Sequence, residues 1–265
     1  MNLNLKDKHV LITGGSKGIG LACAQAFLSE GSRVSINSRD AANLQAALAI
    51  LVQGGVSADR ISTVQGDLCN AADALKVADA AEKAFGPIDV LVTSAGAAKR
   101  TPPDDLTPDA WRAAMDAKYF SYINIIDPVI KRMGARNTGT IVNVIGAGGK
   151  VASAIHLPGG AANAALMLAT AGLANAYGGK GVRVNAVNPG ATLTDRLKEG
   201  FKAEKRLSGI EAEEAMKRAV SKTALGRLAE PSEIANVVLF LASDQASYVS
   251  GVIIGMDGIG TPMVV

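Results

Sequence analysis

The order in which two kinds of segment follow one another constrains this chain more than any single motif. Short runs rich in β-branched residues, at 9–13, 33–37, 61–65, 88–94, 140–145, 182–187 and 251–256, alternate with longer alanine-rich stretches. The stretches 19–30, 41–52, 71–85, 108–133, 161–177 and 231–242 carry apolar residues at helical spacing. Strands that read as continuous apolar runs are buried on both faces, which fits a parallel sheet. Strand–helix–strand units close through right-handed crossovers, so the pattern predicts a doubly wound α/β fold with helices on both faces of one parallel sheet. No internal repeat and no Pro/Gly/Ser linker divides residues 1–265, which are expected to form a single domain.

Composition sets outer bounds. Hydrophobic residues make up 48% and charged residues 19% of the chain, enough for a sizeable core and against disorder. A formal net charge of +3 is too small to imply a nucleic-acid footprint. Cys23 and Cys69 lack metal-ligand spacing and are too few for a disulfide scaffold, so no metal site is expected and a reducing cytoplasm fits best. The N-terminal residues lack the apolar core of an export signal, and no window reads as apolar enough to span a bilayer. One stretch, 196–218, breaks the alternation: about half its residues are charged, with mixed sign. It is either a solvated helical pair or part of a substrate lid at 193–220, because insertions beyond strand ends carry ligand contacts.

The first strand runs directly into Thr13-Gly14-Gly15-Ser16-Lys17-Gly18-Ile19-Gly20. Gly14 would allow a tight turn, Gly18 the approach of backbone amides to a pyrophosphate, and Gly20 close packing of the following helix. A phosphate there meets free N–H groups and the positive end of a helix dipole. Ser16, Lys17 and Ile19 complete the expected phosphate loop. After the second strand the chain reads Asn37-Ser38-Arg39. NAD enzymes usually place a carboxylate at this point for the ribose 2′-hydroxyl. Ser38 is not one, and the planar fork of Arg39, with Lys17 as a second charge, suits a 2′-phosphate. NADP(H) is therefore favoured over NAD(H), and Asp40 is expected to cap the next helix.

The spacing of that glycine loop resembles the short-chain dehydrogenase/reductase family, and the resemblance runs through nearly the whole chain. Asp67-Leu68 is similar to the family's adenine-contacting pair, and Thr93-Ser94-Ala95-Gly96 to its Asn-Asn-Ala-Gly element. Arg183-Val184-Asn185-Ala186-Val187-Asn188-Pro189-Gly190 resembles the segment that carries the nicotinamide, with Thr192 and Thr194 facing the carboxamide and phosphates. Gly226-Arg227-Leu228-Ala229-Glu230-Pro231, Ser250-Gly251 and Met256-Asp257-Gly258 resemble the C-terminal signature. The resemblance implies a Rossmann-type sheet, a small-molecule substrate, and a homodimer or homotetramer built through the two long helices and the C-terminal strand. The second of those helices is apolar nearly all round, and a helix of that kind must be buried, here by a partner copy.

The resemblance fails at the chemistry. In register, the family's serine falls on Gly146, its tyrosine on Gly159, its lysine on Asn163 and its helix asparagine on Lys118, and no Tyr-x-x-x-Lys occurs in the chain. Glycine offers no group for acid–base work. Two residues could substitute: Lys118, whose pKa would fall in a desolvated pocket, and His156, which titrates near neutral pH. Lys150 and Ser153 share the His156 loop without a stronger claim. Tyr119 and Tyr122 flank Lys118, and Tyr177 is expected to be structural. Three readings stand: an oxidoreductase with non-standard catalytic residues, a non-redox isomerase or lyase on the same fold, and a catalytically silent NADP(H)-binding protein.

Overall fold

The computed structural model describes residues 2–96 and 99–262, with backbone alone at 202–208. Strands β1 (His9–Thr13), β2 (Arg33–Ser38), β3 (Ile61–Gln65), β4 (Val90–Thr93), β5 (Gly139–Val144), β6 (Val182–Pro189) and β7 (Ile253–Met256) form one parallel sheet in the order β3-β2-β1-β4-β5-β6-β7. The chain winds outward from β1 to β3 and returns to lay β4 on the other side of β1. The crevice at the carboxyl ends of β1 and β4 is therefore the topological switch point, where open α/β sheets bind ligands.

Side chains alternate across the sheet, and both faces are apolar. Val10 and Ile12 of β1 enter one core while Leu11 enters the other; on β4, Val90 and Val92 oppose Leu91. The first core is closed by α1 (Gly18–Ser29), α2 (Ala41–Gln53) and α9 (Pro231–Ala242), through Phe27, Leu51 and Val238. The second is closed by α3 (Ala71–Phe85), α5 (Ser121–Ala135) and α6 (Leu157–Gly178), through Val77, Ile125 and Leu166. Each fully buried aliphatic side chain contributes roughly 1.5–3 kcal/mol, so neither helical layer is dispensable.

Two expectations are corrected. The helix expected over 108–133 is α4 (Pro108–Met115), a wide π-helical turn (Asp116–Phe120) and then α5. The wide turn loosens the carbonyl ladder, and the Ser121 hydroxyl donates to Ala117 O at 3.0 Å and lies 3.2 Å from Lys118 O. Such turns occur disproportionately at functional sites. The second correction concerns apolarity. The stretch Ala154–Gly178, which holds α6, is long and apolar enough by length and composition to cross a membrane. Here α6 instead packs on the sheet through Leu166, Thr170 and Ala174, as a core helix does.

The charged stretch folds as α7 (Asp195–Ser208) and α8 (Ala212–Ser221). On α8 the pairs Glu213–Lys217 at 3.1 Å and Glu214–Arg218 at 2.9 Å lie on a solvated face.

Candidate active site

The glycine loop turns in the left-handed region at Gly14 (φ +63°) and Gly18 (φ +54°). A Cβ at Gly14 would lie 2.9 Å from the Ala95 backbone, and one at Gly20 would collide with Gly14 O. Gly20 thus packs α1 against the turn itself, a closer reason than helix-on-sheet packing. Lys17 is the N-cap of α1 in an extended conformation and supplies no side-chain cap, so the first N–H groups of the helix remain available as donors. Thr194 stands over the loop: a Cβ on Gly18 would be 3.2 Å from its methyl group.

The ends of β2 and β3 sit beside this loop. Asn37 Nδ2 donates to Val64 O (3.1 Å) and Gly66 O (3.2 Å), and Gln65 Nε2 donates to Arg39 O (3.1 Å). Arg39 is exposed and, among the described residues, makes no ion pair. Asp40 accepts from Asn43 N at 2.9 Å, the cap expected of it. Asp67 accepts from Cys69 N at 3.0 Å, and Leu68 is buried with its carbonyl held by Asn124 Nδ2 at 2.9 Å.

Beyond β4, Ser94 N donates to Thr13 O at 3.2 Å, drawing the loop toward β1. Gly96 has φ +98°, and a Cβ there would strike Ala117 O of the π-helical turn. After β6, Gly190 N donates to Met256 O at 3.0 Å, and a Cβ on Gly190 would lie 2.9 Å from Asp257 Cβ. Pro189 closes β6. Thr192 Oγ1 donates to Gly190 O at 3.2 Å, and Thr194 Oγ1 accepts from Leu197 N at 3.3 Å in the first turn of α7. The residues read from the sequence as a dinucleotide site therefore lie at the carboxyl ends of the strands, around the switch point.

Lys118, on the π-helical turn, is part-buried. Its Nζ donates to Tyr122 Oη at 3.0 Å, and Tyr122 Oη donates in turn to Val144 O at 2.6 Å. Burial, then the charge of Arg196, pushes the Lys118 ammonium down to about 7. Burial pushes the Tyr122 phenol well above its ordinary range, so it is a fixed hydrogen-bonding group rather than an acid. His156 precedes α6, and a Cβ on Gly148 would be 3.3 Å from its Cδ2. Burial first, then Arg100, Arg196 and Lys118, lower its pKa, so it is neutral at pH 7. Asn163 is 4% exposed, and a Cβ on Gly146 would meet its Nδ2 at 3.3 Å. Among the described residues, Asn163 Oδ1 and His156 Nδ1 are buried without a hydrogen-bond partner. Gly159 is buried in the first turn of α6.

Some residues around the candidate site are not legible in the sequence. Arg100 was not singled out, and Arg196 was lost inside the mixed-charge stretch, though its position two residues after Thr194 was a usable signal. Asn143 lies inside β5. It accepts from Thr93 Oγ1 at 2.7 Å and donates to Thr170 Oγ1 at 2.9 Å, linking β4, β5 and α6 and so fixing where Asn163 stands. His9 and Tyr177 lie elsewhere, while Lys150 follows the turn that faces His156 and Asn163. His9 is fully buried, with ring nitrogens on Gly86 O (2.8 Å) and Ser35 Oγ (2.9 Å). Tyr177 packs on Gly134, and Lys150 ends the short turn after β5.

Residues 14–259 match the family model described as enoyl-(acyl carrier protein) reductase. The chain is 33% identical over 262 residues to 2-(S)-hydroxypropyl-CoM dehydrogenase 3 of Xanthobacter autotrophicus, covering 97% of this chain and 98% of that one. An actinorhodin polyketide ketoreductase variant solved with NADPH superposes with a TM-score of 0.91 at 27% identity, covering 97% of this chain and 98% of that chain. An NADPH-bound short-chain oxidoreductase of Pseudomonas aeruginosa, described as containing an atypical catalytic centre, gives 0.87 at 28% identity over 97% and 98% of the two chains. The fold, the glycine loop and the switch-point crevice define a dinucleotide-fold protein of the oxidoreductase kind. The chain belongs to the short-chain dehydrogenase/reductase family.

Proposed function

We propose that this protein is an NADP(H)-dependent oxidoreductase of a small carbonyl or imine compound, with Lys118 taking the proton-transfer role. The observation that carries this reading is the Lys118 ammonium itself, part-buried on the π-helical turn, held on Tyr122 Oη at 3.0 Å and brought to about 7. An acid whose pKa lies near the working pH is the most effective proton donor. The positions that correspond to the family's serine, tyrosine and lysine hold Gly146, Gly159 and Asn163, so the acid must come from elsewhere.

The residues present fit a dinucleotide. Gly14 and Gly18 hold backbone conformations that suit a phosphate cradle, and Asn163 Oδ1, a buried acceptor without a donor, suits a ribose hydroxyl. Gly14, Ser16, Lys17, Gly18, Ile19 and Gly20 would hold the pyrophosphate; Ser38 and Arg39 the 2′-phosphate; Asp67 and Leu68 the adenine edge. Ser94, Ala95, Gly96, Pro189, Gly190, Thr192 and Thr194 would seat the nicotinamide half. Arg39 supports NADP(H) over NAD(H), as do the NADPH-bound relatives. When bound, the reduced nicotinamide supplies a hydride. Lys118 Nζ gives its proton to the substrate oxygen, becomes a neutral amine, and is reprotonated from solvent. Tyr122 Oη keeps the amine in place throughout, because its own proton is committed to Val144 O. His156 is the second proton-transfer candidate, beside Gly148. The 193–220 region, which holds α7 and α8, covers the crevice as a substrate lid.

A homodimer or homotetramer is part of this reading. Ala161, Ala164, Leu168, Gly172 and Asn175 form an exposed, mostly apolar stripe along α6, and Leu168 is 76% exposed in the single chain.

The test is NADPH consumption across a panel of carbonyl and imine compounds, paired with a direct NADPH titration. Turnover on any member supports the reading. Binding without turnover points to a non-redox enzyme or a silent binder, and absence of NADPH binding overturns it.

A further inference from the structure

The residues around Lys118 carry one sign of charge. Arg100 lies in the loop after β4, Lys118 on the π-helical turn, and Arg196 in the first turn of α7. Arg196 Nη1 donates to Gly96 O at 3.0 Å, which pins it to the same loop. Thr101 N donates to Ile155 O at 3.0 Å, which sets Arg100 beside the His156 segment. The three cations feel one another: Arg196 acts on Lys118, Arg100 acts on Arg196, and all three act on His156.

Among the described residues, Arg100, Lys118 and Arg196 make no ion pair, and Arg196 feels a single carboxylate, that of exposed Glu199 on α7, more weakly than it feels Arg100. Several other arginines are paired, Arg132 with Asp79 and Glu82 and Arg227 with Glu233 at 2.7 Å, while Arg33, Arg39 and Arg183 make no ion pair among the described residues. Like charges held together without a counter-charge oppose folding, so a cluster kept this way at the mouth of a reaction crevice has a complement of opposite sign.

We infer that Arg100 and Arg196 are the receptor for an anionic head group on the substrate, a carboxylate or a phosphate ester, whose carbonyl then lies toward Lys118. This rests on the oxidoreductase reading for the location of the substrate. Two guanidinium forks suit the paired oxygens of either anion. The phosphates of the dinucleotide have their own partners at the glycine loop and Arg39, so this pair is left for the substrate. Binding has a second effect. An anion offsets the repulsion that Arg196 exerts on Lys118 and that Arg100, Arg196 and Lys118 exert on His156; Tyr122, the other titratable group against Lys118, stays neutral. Lys118 therefore regains its proton as the substrate arrives, and the acid is armed by the substrate it serves.

Calorimetric titration of the NADP+-saturated protein at pH 8 tests this, because no turnover occurs. The probes are 2-oxobutanoate and dihydroxyacetone phosphate, with methyl 2-oxobutanoate and dihydroxyacetone as neutral counterparts. At least one anion is expected to bind about tenfold or more tightly than its neutral counterpart, and which one does so separates carboxylate from phosphate ester. Its binding is expected to take up a proton, read by comparing two buffers of different ionisation enthalpy. Arg196→Gln and Arg100→Gln are expected to weaken the anion about tenfold while leaving NADP+ affinity unchanged and without lowering the melting temperature; Arg196→Lys guards against misfolding. Equal binding of anions and neutral probes, no anion binding at millimolar concentration, or full affinity in both Gln variants overturns the inference. If NADP+ itself does not bind, the oxidoreductase reading fails separately. The receptor is then judged on cofactor-free Arg39→Ala protein, with and without Arg196→Gln, where only loss of anion binding in the second sustains it.

Discussion

Lys118 and Tyr122 meet twice: Nζ donates to the phenol oxygen at 3.0 Å, and the same nitrogen lies 4.6 Å from the centre of the ring. The contact with the ring face favours the charged amine, since a ring quadrupole attracts a cation. Burial and Arg196 oppose it and win, which is why the ammonium ends near neutrality.

Reduction is expected to need the protonated amine. With Arg196 beside it, Lys118 of the free protein loses its proton as pH rises through about 7, so kcat/KM for reduction should fall about tenfold per unit above that point while that for the reverse oxidation rises. Lys118→Ala should lower the rate about a hundredfold at saturating cofactor. Lys118→Arg should not rescue it, because a guanidinium stays charged. Initial rates between pH 6 and 9 check this. A flat profile would remove Lys118 from the chemistry, and a large loss in His156→Ala alone would move the role to the histidine.

The same lysine should weaken the fold. Its pKa is 10.5 unfolded and about 7 folded, so between those values the unfolded chain binds more protons and stability rises with pH. The penalty is full below pH 7 and gone above about 10.5. Lys118→Met is expected to raise the melting temperature at pH 7, by about 2–4 °C per kcal/mol recovered, with the gain shrinking as pH increases. A melting temperature lowered at pH 7 by calorimetry would show that the bond to Tyr122 outweighs the buried charge.

Arg39→Ala should weaken NADPH about tenfold and leave NADH nearly untouched, since a charge-assisted contact contributes roughly 1.5–3 kcal/mol before solvent screening. Fluorescence titration of both dinucleotides decides it; equal affinities in the intact protein would refute the NADP(H) preference.

Leu168→Lys should split the assembly. Burying an ammonium in an apolar helix contact is costly without a partner. Light scattering at micromolar concentration should then give 27.0 kDa for the variant and a multiple of it for the native chain. A native monomer would contradict the proposed oligomer.

The strands were legible because a layer buried on both sides leaves no room for alternation, and Val10-Leu11-Ile12 or Val90-Leu91-Val92 can be nothing else. The glycine loop was legible for a different reason: Gly14 and Gly18 adopt a backbone shape that other residues resist. The π-helical turn left no trace, because one added residue barely disturbs the spacing of apolar side chains over 108–133. Arg100 and Arg196 could not be paired from sequence either. Arg196 is held on Gly96 O, and the loop that carries Arg100 is held on Ile155 O through Thr101 N, contacts that only the completed sheet brings together. Asn143 interrupts an apolar strand, and its partners Thr93 and Thr170 sit on two other elements that the sequence does not bring together.

The wide turn at Asp116–Phe120 has a bearing on how this site can vary. Each residue of a helix advances about 100°, so one residue more in a turn puts α4 and α5 out of phase by roughly that angle. The face that α5 presents to the sheet, with Ile125, Val129 and Met133, is thereby uncoupled from the face that α4 presents to solvent at Trp111. A chain built this way can re-aim what stands at the crevice without rewriting the packing that holds the sheet.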